Sequence, residues 1–99
     1  MTRIKNLVDG IKDELCSAKD YAEEYLTYKA QGNGTWANRY KEMSTDELKH
    51  AGYLHDRAVA DIDELRKVYT PPEEMMRKWD SDHREYIEKA AWIRQMLAM

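Results

Sequence analysis

Apolar side chains recur at intervals of three and four residues along most of the chain. The first series is Ile4, Leu7, Ile11, Ala18, Tyr21, Tyr25 and Tyr28, interrupted by Glu14. The second is Trp36, Tyr40, Met43, Leu54, Ala58, Ile62 and Leu65, interrupted by Glu47 and His50. The third is Met76, Trp79, His83, Tyr86, Ala90, Ile93 and Leu97. This spacing lines each series along one face of an α-helix. No stretch alternates with the period of two that marks a half-buried strand. Two breaks divide the series. "QGNGT" (31–35) predicts the end of one helix and the start of the next, with Thr35 as N-cap. "TPPEE" (70–74) predicts a second start, with Thr70 as cap, the prolines in the first helical positions and Glu73 closing a capping box. The predicted helices span 2–31, 35–69 and 71–97. The expected fold class is all-α, an antiparallel helical hairpin plus a third helix, in one domain over 1–99.

Register then singles out one layer. If the first two helices fold back about Gly32–Gly34, facing residues have numbers adding to about 65. Tyr28 then meets Trp36, Tyr25 meets Tyr40, Tyr21 meets Met43, Ile11 meets Leu54 and Leu7 meets Ala58. The exception is Glu14 opposite His50, with Glu47 less than a turn away. Two carboxylates and an imidazole buried without partners cost several kcal/mol, in a domain whose whole stability is roughly 5–15 kcal/mol. A bound metal is the simplest compensation. The alternative is a hydrated, hydrogen-bonded Glu–His cluster at the edge of a broad stripe. Oxygen donors with one imidazole suit iron or manganese, whereas structural zinc takes a closed Cys/His set.

The third helix carries Asp80-x-x-His83, an echo of Glu47-x-x-His50. Folding it back about Pro71 pairs numbers adding to about 141, which sets His83 level with Ala58 and about 12 Å along the axis from His50. His83 is therefore expected at the core edge, bonded to Asp61 or Asp80 and outside the metal set. Trp79 and Trp92 are expected to pack, Tyr21 and Tyr25 to lie in the core, and His55 to sit on the surface. Cys16 projects about 200° round the helix from Glu14 and reads as an inert thiol.

Composition narrows the function. Charged residues make up 35% and the net charge is −3, which offers no broad basic surface to nucleic acid. No apolar run approaches the roughly 18–20 residues of a membrane span, and Met1–Lys12 has no apolar signal-peptide block. The single cysteine suits a reducing cytoplasm, the expected location. CxxC, a glycine-rich phosphate loop and GxSxG are all missing. Ninety-nine residues bury a limited core, so a partner copy is expected.

Glu14 on one helix, with Glu47-x-x-His50 on the next antiparallel helix, resembles half of a ferritin-like di-iron carboxylate site. "ELCSAKDY" (14–21) and "EMSTDELKHA" (42–51) are similar to the two ligand helices of the rubrerythrin-type branch, and 33 residues separate Glu14 from Glu47. The resemblance covers the first two helices. It implies metal ligation by Glu14, Glu47 and His50, with ferroxidase, iron-handling or peroxide- or oxygen-reducing activity. A complete site of that family has four carboxylates and two histidines, twice what this chain carries. Encapsulin-associated ferritins complete theirs by dimerising, so the resemblance implies a homodimer or higher homo-oligomer forming a four-helix bundle with two irons, or manganese, per dimer. The rubredoxin-like domain with paired CxxC is missing, so electrons would come from an external donor or from the iron. The chain is also similar to small ferritin-like proteins of phage and prophage genomes. The competing expectation is a metal-free helical interaction or accessory protein.

Overall fold

Residues 2–99 are described by a computed structural model and form α1 (Thr2–Ala30), α2 (Gly34–Val68) and α3 (Glu73–Leu97), with no strand among them. The Cα trace is a rod of 55 × 17 × 17 Å, as expected when a 35-residue helix sets the long dimension at about 1.5 Å per residue. α1 and α2 form a closely packed antiparallel hairpin, and α3 folds back chiefly onto α1. No helix among the described residues is long and apolar enough to cross a membrane.

The α1–α2 turn is built by backbone geometry that only a few residue types accept. Asn33 N–H donates to Tyr28 O at 2.9 Å and Gly32 N–H donates to Lys29 O at 3.0 Å. These bonds form a Schellman motif, which needs a left-handed residue, and Gly32 supplies it with φ 75°. The exit uses up Gly32 and Asn33, so α2 begins at once. Asn33, not Thr35, is the N-cap, its side chain accepting from the Trp36 N–H at 3.3 Å. Gly32→Ala should cost about 1 kcal/mol from the strained φ. Gly34→Ala should be neutral or stabilising, because nothing lies within 4 Å of its added Cβ and alanine is the better helix former. Urea denaturation of the two variants checks both.

α3 starts at Glu73, two residues later than the predicted start. Each residue before a proline is pushed out of the helical region, so Thr70 and Pro71 are both held extended. Pro72 becomes the N-cap with ψ 142° and no side-chain cap bond forms. The expected Thr70–Glu73 capping box is therefore not made.

The buried lines of α1 and α2 are turned from the predicted stripes, with which they share Ile11, Ala18, Tyr25, Ala58 and Ile62, whereas α3 buries Ala90, Ile93 and Leu97 of its predicted stripe. α1 buries Val8, Ile11, Leu15, Ala18, Ala22 and Tyr25, and α2 buries Ala37, Ser44, Leu48, Ala51, Ala58 and Ile62. The reason is α3: it docks on one flank of the hairpin, so the centre of burial moves toward that flank and the remaining residues of the two predicted stripes form the opposite edge. Ser44 is the one polar residue buried among those described. It donates from Oγ to Ala18 O at 2.7 Å, which satisfies the hydroxyl and ties the two helices. Small residues at Ala18, Ala22, Ala51 and Ala58 let the backbones approach. α3 contributes Ala90, Ile93, Met96 and Leu97. Trp79 packs as expected, but Trp92 is exposed because it points about 100° from the inward Ile93.

The predicted register of the hairpin holds to within a layer. Arg3 Nε lies 3.0 Å from Asp61, which also takes Arg57 at 2.8 Å. At the turn end, Tyr40 gathers Tyr28, Tyr21 and Trp36 with ring centroids at 5.6, 6.0 and 6.3 Å. Tyr25 is instead buried beneath Lys29 and Lys41.

Candidate metal centre

Two helical facts place the three candidate ligands. Glu47 and His50 are three residues apart on α2 and so share a face. The antiparallel register brings Glu14 of α1 level with them. His50 Nδ1 lies 3.7 Å from Glu14 Oε2 and 3.6 Å from Glu47 Oε1. One donor atom from each residue falls within 4.8 Å of the other two. The structure thus brings together the three residues singled out by the sequence.

Their burial differs from expectation. Side-chain exposure is 29% for Glu14, 24% for Glu47 and 53% for His50. The group is the half-open edge of the hairpin, not an enclosed core layer. Leu48, Gly52 and His55 turn toward α3, and Glu47 and His50 point roughly 80–160° away from these residues. Around the group on the same flank, Leu7, Tyr21, Tyr28, Tyr40 and Leu54 are only half-buried, and Trp36 and Met43 are exposed.

The electrostatics show two acids pressed together. A hydrogen bond shared with Glu14, then partial burial, then the negative charge of Glu14 raise the Glu47 carboxyl above the usual carboxylate range, and His50 opposes the shift. A raised acid binds protons more tightly in the folded state than in the unfolded one. Its contribution therefore favours folding at low pH and is lost as pH rises through the folded value. At neutral pH the pair is a standing cost in the metal-free protein. Glu47→Gln should raise the thermal midpoint of metal-free protein at neutral pH, and this gain should vanish in acid. Calorimetry at the two pH values measures it.

The donor set fits a hard or borderline divalent cation. Bonds of about 2.0–2.2 Å would set neighbouring donors about 3 Å apart, so the 3.6–3.7 Å contacts need only small side-chain adjustments. One chain offers three ligands.

The other titratable residues fall elsewhere than expected. His55 is half-buried, not on the surface, and its Nε2 lies 2.6 Å from His83 Nδ1. His83 is bonded to this imidazole and not to Asp61 or Asp80. The signal was present in the second stripe of α2: Ser44, Leu48, Ala51, His55, Ala58 and Ile62 also keep the 3–4 spacing. Asp80 and Cys16 are exposed. No family model matches the chain, and no curated protein or solved structure matches it either.

Proposed function

We propose that the protein is a non-haem di-iron or di-manganese carboxylate protein of ferritin-like type, a half-bundle whose metal centre is completed by a second copy. The observation that carries this reading is the convergence of Glu14, Glu47 and His50 donor atoms within 4.8 Å across two helices. A twofold-related pair would pool two copies of each, giving four carboxylates and two imidazoles. The uncovered flank supports the same pairing, because half-buried and exposed apolar side chains surround the ligands there. An isologous contact through such a flank would bury them from both sides.

In this reading Glu14 and Glu47 would hold the metals and His50 would supply one imidazole to each. When bound, the metals would supply one-electron chemistry toward oxygen, peroxide or ferrous iron as substrate. The protein residues fix the ligand positions, and apposed flanks would keep bulk water from the centre. Tyr21 and Tyr40, each seven residues from a ligand carboxylate, meet with ring centroids 6.0 Å apart about two helical turns from the site.

Metal analysis of anaerobically prepared protein tests the proposal. About two irons or manganese ions per dimer is the expected result. Protein that stays empty in excess metal, with the Glu14–Glu47 hydrogen bond retained, would leave a metal-free helical accessory protein as the better reading. His83→Ala should not change the metal content, since His83 belongs to the other flank.

A further inference from the structure

The two halves of α3 are held by different forces. Ala90, Ile93, Met96 and Leu97 are buried, but no residue from Glu73 to Lys89 is. The N-terminal half depends on a cluster of rings and charges centred on His55 of α2. That imidazole is only 13% exposed. It stacks on Tyr86, His83 and Trp79 of α3 with centroids at 4.4, 4.8 and 5.9 Å. Val8, Ile11 and Leu15 of α1 line the same small void as the two histidines.

Imidazole nitrogens 2.6 Å apart require one proton between them. The neutral pair meets this with one N–H donor and one lone-pair acceptor, and so does the singly charged pair. The doubly protonated pair has two donors and two positive charges facing each other, so a second proton can enter only if the rings part.

The surrounding charges do not compensate. From α1, Lys12 lines the cavity and lies 3.4 Å from Asp82. From α2, Asp56 sits 3.7 Å from His55 Nδ1 but is exposed to solvent. From α3, Asp82 also takes Lys78 at 3.4 Å, and Glu85 is bonded to Lys89 at 2.7 Å. The Tyr86 phenol is the remaining titratable group there. Every close carboxylate is matched by a lysine or screened by water, and Lys12 adds another positive charge. Burial, then the charge of His83, hold the His55 imidazole below its usual range against the pull of Asp56.

We infer that His55 and His83 form an acid-sensitive latch, whose second protonation releases residues 73–86 of α3 from the hairpin while residues 90–97 stay docked. Release would uncover the apolar surface of Val8, Ile11 and Leu15. A base with depressed folded-state proton affinity supports the docked form above the unfolded imidazole value of about 6.5, and that support is lost as pH falls through the folded value. Through that range the undocked-to-docked ratio rises by up to about tenfold per pH unit for each extra proton bound.

Amide hydrogen exchange on the full chain, corrected for intrinsic rates, tests this at about pH 7.5 and about pH 5.5. Protection in 73–86 should fall by up to about tenfold relative to 90–97 in acid. His50→Gln, which removes the imidazole of the opposite flank, should keep the effect. His55→Gln and His83→Gln should each flatten it. Unchanged protection of 73–86 in acid overturns the latch. So does equal loss over both halves of α3, or an undiminished response in both glutamine variants. Should those variants fail to fold, the wild-type comparison of the two halves still decides.

Discussion

Metal-loaded protein should sediment as a dimer at concentrations where metal-free protein is monomeric. In the proposed shared site each chain would own one half-set of ligands, so two metals held between two chains would tighten the dimer by linkage. At 100 times its Kd, one ligand bound only by the assembled form contributes roughly 2.7 kcal/mol, about a hundredfold in the dimer dissociation constant. Removing the metals leaves up to four carboxylates at the seam. Glu14 already raises the proton affinity of Glu47 within one chain, and a second pair of carboxylates adds to the repulsion. Mild acid should therefore partly restore association of the metal-free form. Glu47→Ala and His50→Ala should abolish metal binding and the metal dependence of assembly together. Velocity sedimentation with and without Fe(II) or Mn(II), under anaerobic conditions, measures this. A monomer that still binds metal would show that one chain supplies every ligand.

Ile93→Ala should cost roughly 2–5 kcal/mol, the range for truncating a buried aliphatic side chain. Ile93 is 1% exposed and belongs to the short set of α3 residues that reach the common core. Its loss leaves a cavity beside Leu97 and Ala90, and the rest of α3 offers little to offset it. In a domain of roughly 5–15 kcal/mol that is a large share of stability. Ile87→Ala, on the same helix but exposed, should stay within about 0.5 kcal/mol. Urea midpoints of the two variants make the comparison. A small effect at Ile93 would mean that α3 is not anchored through its C-terminal half.

Local chemistry decided what could be read without the fold. The 3–4 spacing and the Gly32 and Pro71–Pro72 breaks determined three helices, because helix periodicity and backbone restriction act within a few residues. The turn also determined the hairpin register, since so short a connection leaves little freedom to slide. That is why Glu14, Glu47 and His50 could be grouped from their numbers alone. The cap positions were less legible. Asn33 and Thr35 are both good N-caps, and the Schellman exit at Gly32 chose between them. Thr70 had the right side chain but two prolines held the chain extended past it.

Only the tertiary structure decided which flank of the hairpin became interior. A helix in this fold has apolar or small residues over more than one stripe, and either stripe satisfies the same period. α3 covers the flank of Leu48, His55 and Ile62 and leaves that of Glu47, His50 and Leu54 open. That choice turned a core layer into a half-exposed Glu–His group and a surface histidine into half of a half-buried pair. It depends on where a third helix docks across dozens of residues of separation, and no local period carries that information.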